Sequence, residues 1–213
     1  MNNGENTMTK EQYLINPCAN LSIPYWKHRL FKQPKNIDIF HASDYHEVGL
    51  YNHIEKYFRL IHYLEKAIKH HQSISSINIA QDMKDLILQI NHSYSNERIT
   101  VNKDDIDRWI NHPTYDYALW IKVVIDGHMI ASGIAEYDEN TKEGIIEWVQ
   151  VMPEYQRQGY GRMIVEELLY RLSKKANFVT VSGRLHNDSN PKWLYESCGF
   201  EGSDIWYVCY KKP

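Results

Sequence analysis

The stretch with the plainest capacity for chemistry runs Val149-Gln150-Val151-Met152-Pro153-Glu154-Tyr155-Gln156-Arg157-Gln158-Gly159-Tyr160-Gly161-Arg162. An apolar strand gives way there to a helical pattern, with two glycines at the junction. Glycine lets backbone N–H groups approach an anion with no Cβ in the way. The free N–H groups and dipole of a helix start add positive potential without side-chain charge. Arg157 and Arg162 supply formal charge beside them. Such a loop suits a pyrophosphate. It is not the dinucleotide fingerprint, because Ile164 stands where a third glycine is required. It is not the phosphate loop of nucleotide hydrolases either, since no Gly-Lys-Ser/Thr follows. On the glycines alone, a tight turn without a ligand explains the pattern equally well.

The elements that must position this loop follow from periodicity. Ala118 to Ile125 reads as a strand, Asp126-Gly127 as a hairpin turn, and Met129 to Tyr137 as the return strand. Gly144 to Val151 is a third strand. A long helix carries Met163, Ile164, Leu168, Leu169 and Leu172 on one face. Strand Phe178 to Ser182, a short helix around Trp193-Leu194-Tyr195 and a last strand Ile205 to Tyr210 complete the order. Upstream, Ser76 to Ile79 reads as a strand. Met83, Leu86, Ile87, Ile90 and Tyr94 mark a helix, and Asn102 caps a second one that Pro113 ends. Hairpins give antiparallel pairing, and strand–helix–strand from Gly144 to Ser182 gives a right-handed parallel crossover. The expected class is α/β (α+β), a mixed, mostly antiparallel sheet with one parallel crossover and helices on both faces.

Residues 1–74 read as an extension and 75–213 as the main domain. Tyr13 to Lys35 is an irregular arm with Pro17, Pro24 and Pro34, in which Tyr25, Trp26 and Phe31 alternate with basic residues. Nucleic-acid stacking is one reading of that arm. Aromatics packed on the domain with lysines in water is the preferred one, since no matching basic surface appears elsewhere. Asn36 to Phe40 alternates like a strand. Ile54, Tyr57, Phe58, Ile61, Leu64 and Ile68 recur at helical spacing, which predicts an amphipathic helix to about Lys69. His70-His71 then read as a solvated helix end rather than a metal pair.

Composition sets the outer bounds. The 213 residues are 43% hydrophobic and 24% charged, as in ordinary globular proteins. A formal charge of −3 argues against a strongly basic nucleic-acid binder. No apolar run reaches the roughly 18 residues of a membrane span, and the first residues lack the pattern of a secretion signal. Cys18, Cys198 and Cys209 are scattered and odd in number, which fits reduced thiols in a cytoplasm, with no disulfide framework and no structural zinc.

A second motif lies downstream: Asn190-Pro191-Lys192-Trp193-Leu194-Tyr195-Glu196-Ser197-Cys198-Gly199-Phe200. This segment, together with Gln156-x-x-Gly159-x-Gly161 after the third hairpin strand, resembles the GNAT superfamily of acyl-CoA-dependent N-acyltransferases over roughly residues 75 to 213. The resemblance implies transfer of an acetyl group from acetyl-CoA to a primary amine by direct attack on the thioester. It implies that main-chain groups of Val149 and Val151 pair with the pantetheine arm. The amides of Gln156, Arg157, Gln158, Gly159, Tyr160 and Gly161, with Arg162, would hold the pyrophosphate. Asn187 or Asn190 would touch the far side of the arm. Where the family often has a small residue this chain has Pro191, and the family's asparagine falls nearer Asp188.

The chemistry needs a base, because an alkylamine is mostly protonated at neutral pH. Glu147, two residues before Val149 and on the same side by strand alternation, is the first candidate; Glu136 is the second. The Val151 N–H would meet the developing oxyanion, and Tyr195, at the family's general-acid position, would return a proton to the departing thiolate. Tyr195 could equally be a packed helix tyrosine, and Cys198 suits packing better than covalent catalysis. Trp109, Tyr115, Tyr117 and Trp120 fit either an aromatic acceptor pocket or the core. The expected partner is a small-molecule or peptide amine, with no metal, nucleic acid or membrane, for a monomer or homodimer. A GNAT-like module that binds acyl-CoA without turnover is the alternative.

Overall fold

The computed structural model describes residues 8–46, 49, 51–94, 99–186 and 189–212. Three short helices open it, α1 (Lys10–Ile15), α2 (Pro17–Asn20) and α3 (Tyr25–His28), followed by strands β1 (Ile37–His41), β2 (Tyr51–His62) and β3 (Ser75–Ser76). Then come α4 (Ile79–Ser93), α5 (Lys103–Ile110), β4 (Trp120–Ile125), β5 (His128–Asp138), β6 (Glu143–Val151) and α6 (Tyr160–Leu172). The chain closes with β7 (Phe178–Arg184), α7 (Pro191–Ser197) and β8 (Glu201–Lys211). All eight strands form one sheet in the order β1-β8-β2-β7-β6-β5-β4-β3. Among the described residues only β6 and β7 pair in parallel; the other ladders are antiparallel. The mixed sheet with one parallel crossover and helices on both faces is therefore the architecture the sequence implies.

The two faces are closed by different helices. Ile164, Val165, Leu168 and Leu169 of α6, with Tyr195 of α7, pack on Val179, Val181 and Leu60. Across the sheet, Leu86 and Ile90 of α4 and Ile106 of α5 pack on Trp120 and Ile134. Asn102 caps α5 through a reciprocal capping box with Asp105, as its sequence suggests. The arm covers the rest of that second face: Tyr13, Cys18 and Leu21 bury against Ile61 and Phe178. Phe178 precedes Val179 of the α6 cluster, so by strand alternation it points the opposite way, toward the α4–α5 layer.

The arm is held by a buried polar cluster. The Tyr13 hydroxyl donates to both carboxylate oxygens of Glu143 at 2.8 Å, and Thr180 Oγ1 donates to Glu143 Oε1 at 2.5 Å. Arg59, 1% exposed, places Nη2 3.4 Å from Glu143 and 3.0 Å from the Tyr13 hydroxyl. Burial pushes the Glu143 carboxyl up, and Arg59, Thr180 and Tyr13 all act against that rise.

The helix expected from Ile54 to about Lys69 fails outright, and the strand expected over Ser76 to Ile79 is cut to Ser75–Ser76, with α4 already begun at Ile79. Residues 51–62 are a central strand, not the start of an amphipathic helix. Strand β2 lies between β7 and β8, paired with both. Phe58, Arg59, Leu60, Ile61 and His62 are consecutive buried residues, so neither alternation nor a solvated face marks the strand. His70 and His71 accordingly do not end a helix. They lie against α6, with His70 Nδ1 2.9 Å from Glu167 Oε2 and His71 Nε2 2.6 Å from Glu166 Oε2. The last strand also begins earlier than expected, at Glu201.

Candidate active site

The parallel ladder between β6 and β7 stops early. It runs from Glu143 opposite Phe178 to Ile146 opposite Val181, although β6 continues to Val151 and β7 to Arg184. Beyond Ile146 each strand stays paired on its outer side, β6 with β5 and β7 with β2. The inner edges of residues 147–151 and 182–184 therefore part as a wedge in mid-sheet. Backbone groups along such a wedge lack a ladder partner, so those with no other partner can pair with an extended ligand; the Val149 and Val151 carbonyls already accept from side chains. Val149 and Val151 line it from β6. The Val149 carbonyl accepts from the Tyr94 hydroxyl at 3.2 Å, which fixes the end of α4 against this edge.

At the mouth of the wedge stands the expected loop. After β6 a turn of 3-10 helix covers Pro153–Tyr155, and α6 starts at Tyr160. Gly159 is the N-cap, at φ 93° with open space where a Cβ would sit. Arg157 also has positive φ, at 60°. Gln156, Arg157, Gln158 and Gly159 are exposed at the positive end of a 13-residue helix, and the Gln156 amide itself donates to Pro153 O at 3.3 Å. The Gln156 and Gln158 side chains donate to Val151 O and Glu154 O, which ties the turn to its own backbone. Gly161 has another reason to be glycine: its Cβ would lie 3.3 Å from Leu194 Cδ2, so it sets the approach of α7 to α6. Arg162 bridges the same two helices by donating to Ser197 O at 2.9 Å.

Asn190 caps α7 in a left-handed conformation, φ 49°, without a side-chain capping bond. Asn187 lies outside the described residues. Tyr195 is 7% exposed, with its ring against Phe58 and Phe200. Burial raises its phenol well above the ordinary range, and Tyr94, Cys198 and Glu147 add to the rise. The phenol is thus held neutral and lies within electrostatic reach of the β6 acid. The Cys198 thiol is pushed up to about 11, chiefly by burial, which leaves it a poor nucleophile.

Glu147 is not on the face that alternation predicts. Ile134 pairs with Trp148 and Ala135 with Ile146, so Glu147 is the extra residue of a β-bulge. Val149 and Val151 pack toward α6. Glu147 instead joins Glu136, which lies between Ala135 and Tyr137 and so points away from the α6 core. The two acids share a cation: Lys27 of α3 places Nζ 2.6 Å from Glu147 Oε1 and 3.9 Å from Glu136 Oε2. His112 Nδ1 stands 2.9 Å from Glu136 Oε1, and the Trp26 ring packs on His112 with centroids 5.0 Å apart. Burial, then Glu147, raise the Glu136 carboxyl, while Lys27 and His112 lower it.

The wedge therefore has Tyr195 on its α6–α7 side and Glu147 and Glu136 on its α5–arm side. Glu147, Glu136, Tyr195 and the loop were named from sequence as site residues; Lys27, His112 and Tyr94 were not. Lys27 and Glu147 lie 120 residues apart along the chain, and no local pattern links them. Trp109, Tyr115 and Trp120 form an aromatic cluster in the core, and Tyr117 is exposed. The geometry fits an acyl-CoA: open amides at a helix start for phosphates, and a main-chain wedge for an extended arm. Among the described residues no group of His, Cys, Asp or Glu could hold a metal, and no helix is long and apolar enough to cross a membrane.

Comparison with known proteins agrees. Residues 116–202 match the family model described as acetyltransferase (GNAT) domain. No curated protein matches the sequence. Among solved structures, the chain is similar to a GCN5-related N-acetyltransferase from Sphaerobacter thermophilus, with TM-score 0.62 and 14% identity over 78% of this chain and 54% of that one. The chain thus spans about half the length of that protein. It is also similar to a putative GNAT-family acetyltransferase from Novosphingobium aromaticivorans (TM-score 0.59, 13% identity, 86% of this chain and 71% of that one). A GNAT-family acetyltransferase from Colwellia psychrerythraea gives TM-score 0.60 at 9% identity over 77% and 59% of the two chains. The chain is GNAT-like in sequence over residues 116–202 and in fold over most of its length.

Proposed function

We propose that the chain is an N-acetyltransferase that moves an acetyl group from acetyl-CoA to a primary amine. The observation that carries this reading is the wedge between β6 and β7, with a glycine turn at its mouth, an acid pair on one side and a neutral phenol on the other. Acetyl-CoA supplies an activated thioester. The amides from Gln156 to Gly161 bind its phosphates, and main-chain groups of Val149 and Val151 orient its arm. Glu147 takes the proton an ammonium must shed before its nitrogen can attack. The Val151 N–H faces the carbonyl oxygen. Tyr195, kept protonated by burial, gives a proton to the leaving sulfur.

In this reading residues 75–213 carry the transfer chemistry, and residues 1–74 complete the sheet and cover the acceptor side. The acceptor is a small molecule or peptide, the protein works in the cytoplasm as a monomer or homodimer, and neither metal nor nucleic acid takes part. The test is thiol release from acetyl-CoA with a panel of amines, alongside calorimetry with CoA. Release that depends on an amine and on Tyr195 supports the reading. Absence of CoA binding refutes it.

A further inference from the structure

The acceptor side of the wedge already holds a primary amine, and it belongs to this chain. Lys27 Nζ sits 2.6 Å from Glu147 and 3.9 Å from Glu136. Both acids are largely buried, at 21% and 7% side-chain exposure. Glu147 is the bulge residue beside the point where β6 leaves β7, so the lysine that pairs with it lies next to the wedge. The groups facing it are Glu136 and Glu147, with the Trp26 ring centroid 5.5 Å from the ammonium; His112 reaches the site through Glu136 and the Trp26 ring.

Two further observations set this contact apart from the surface ion pairs of the molecule. The arm that delivers Lys27 is anchored: Tyr13 is fully buried on Glu143, Tyr25 stacks on Tyr13, and Arg59 donates to Ser22 O. And the place is polar without being satisfied. Among the described residues, Trp26 Nε1, Glu136 Oε2 and Thr114 Oγ1 are buried with no hydrogen-bond partner. Trp26 precedes Lys27 on α3, Glu136 Oε2 lies 3.9 Å from its ammonium, and the Thr114 carbonyl accepts from Tyr137 N, next to Glu136. Buried groups of that kind ordinarily have partners, and Trp26 Nε1 and Glu136 Oε2, two of the five such atoms among the described residues, flank this lysine.

We propose that Lys27 is acetylated by this protein in cis, the arm presenting its own lysine in the place of the acceptor amine. The inference rests on the acyl-transfer reading above. The Lys27 ammonium gives one proton to Glu147, and the freed lone pair forms an N–C bond with the thioester carbonyl carbon. The C–S bond breaks and its electron pair leaves on sulfur. Of the two protons the nitrogen sheds, one ends on the CoA thiol, with Tyr195 as the donor it reloads. The other reaches solvent through Glu147. The products are Nε-acetyl-Lys27 and CoA. The neutral amide no longer pairs with Glu147 or Glu136, so the same step frees the acid pair for an outside amine.

The experiment is incubation of the full chain with isotopically labelled acetyl-CoA, peptide mass spectrometry of every lysine, and CoA calorimetry on the same preparation. The expected result is label on Lys27 ahead of all other lysines, at a first-order rate independent of protein concentration. Glu147→Gln and Tyr195→Phe, checked for folding by circular dichroism, should each slow it by about a hundredfold or more, as loss of a proton-transfer group does. CoA binding with Lys27 unlabelled, or labelled no faster than surface lysines, overturns the inference and leaves the acyl-transfer reading standing. A rate that rises with protein concentration overturns the cis step. No CoA binding overturns both.

Discussion

Glu143→Gln is the most informative single perturbation of the framework. Glu143 is fully buried, and it accepts from Tyr13, Thr180 and Arg59 at once. The amide keeps its size but loses the charge opposite Arg59, and turns two donors toward groups that are themselves donors. Removing one partner of a buried pair typically costs about 3–5 kcal/mol, because the remaining charge stays buried. For a chain of this size each kcal/mol moves the midpoint by roughly 2–4 °C, so Tm should fall by about 6–20 °C. Urea unfolding followed by far-UV circular dichroism and tryptophan fluorescence is the assay. Arg59→Met should cost a similar amount. The double variant Arg59→Met with Glu143→Leu should recover much of the loss, since neither charge then remains. A cost below about 1 kcal/mol for either single change would refute the account of this cluster as the clamp between arm and sheet.

Tyr195→Phe should lower turnover at least about tenfold with CoA affinity nearly unchanged, read by initial rates and calorimetry; a large loss of affinity would instead mark a packing role. Gly161→Val should push α7 off α6 through Leu194 and weaken CoA binding by roughly tenfold, since overpacking of about 1–3 kcal/mol falls on the binding turn. Undiminished affinity would remove that turn from the site. Glu136 has a folded-state pKa raised by burial and by Glu147, against Lys27 and His112. The folded chain therefore keeps a proton that the unfolded chain releases, and stability should fall as pH rises from about 4.3 through the raised value. In Glu136→Gln that part of the slope should vanish; equal slopes in urea titrations from acid to neutral pH would sink the assignment.

How much of this could be read in advance depends on whether the signal is local. The hairpin at Asp126-Gly127, the glycine turn and the α5 cap are written in neighbouring residues, and each appears where its chemistry places it. Strand β2 does not, because Phe58 to His62 is buried on both faces and Arg59, a charge in the core, mimics the polar side of a helix. Face assignment failed at Glu147 for a different reason. A bulge is a property of pairing, and nothing in Ile146-Glu147-Trp148 declares that one residue will be skipped. The acid pair was legible as two candidates, but its cation was not. Lys27 gains its meaning only when α3 docks across the sheet.

The insertion of β2 between β7 and β8 has a consequence for how the molecule comes to exist. Strands β1 and β2 find their partners among residues 178–211, so this half of the sheet cannot assemble until nearly the whole chain is available. During synthesis β2 must wait with an unpaired edge on each side, an exposure that invites pairing with other chains. Long-range antiparallel closure of this kind also slows folding. Deleting the N-terminal segment would remove an internal rung, not a peripheral appendage, and leave β7 and β8 with no strand between them.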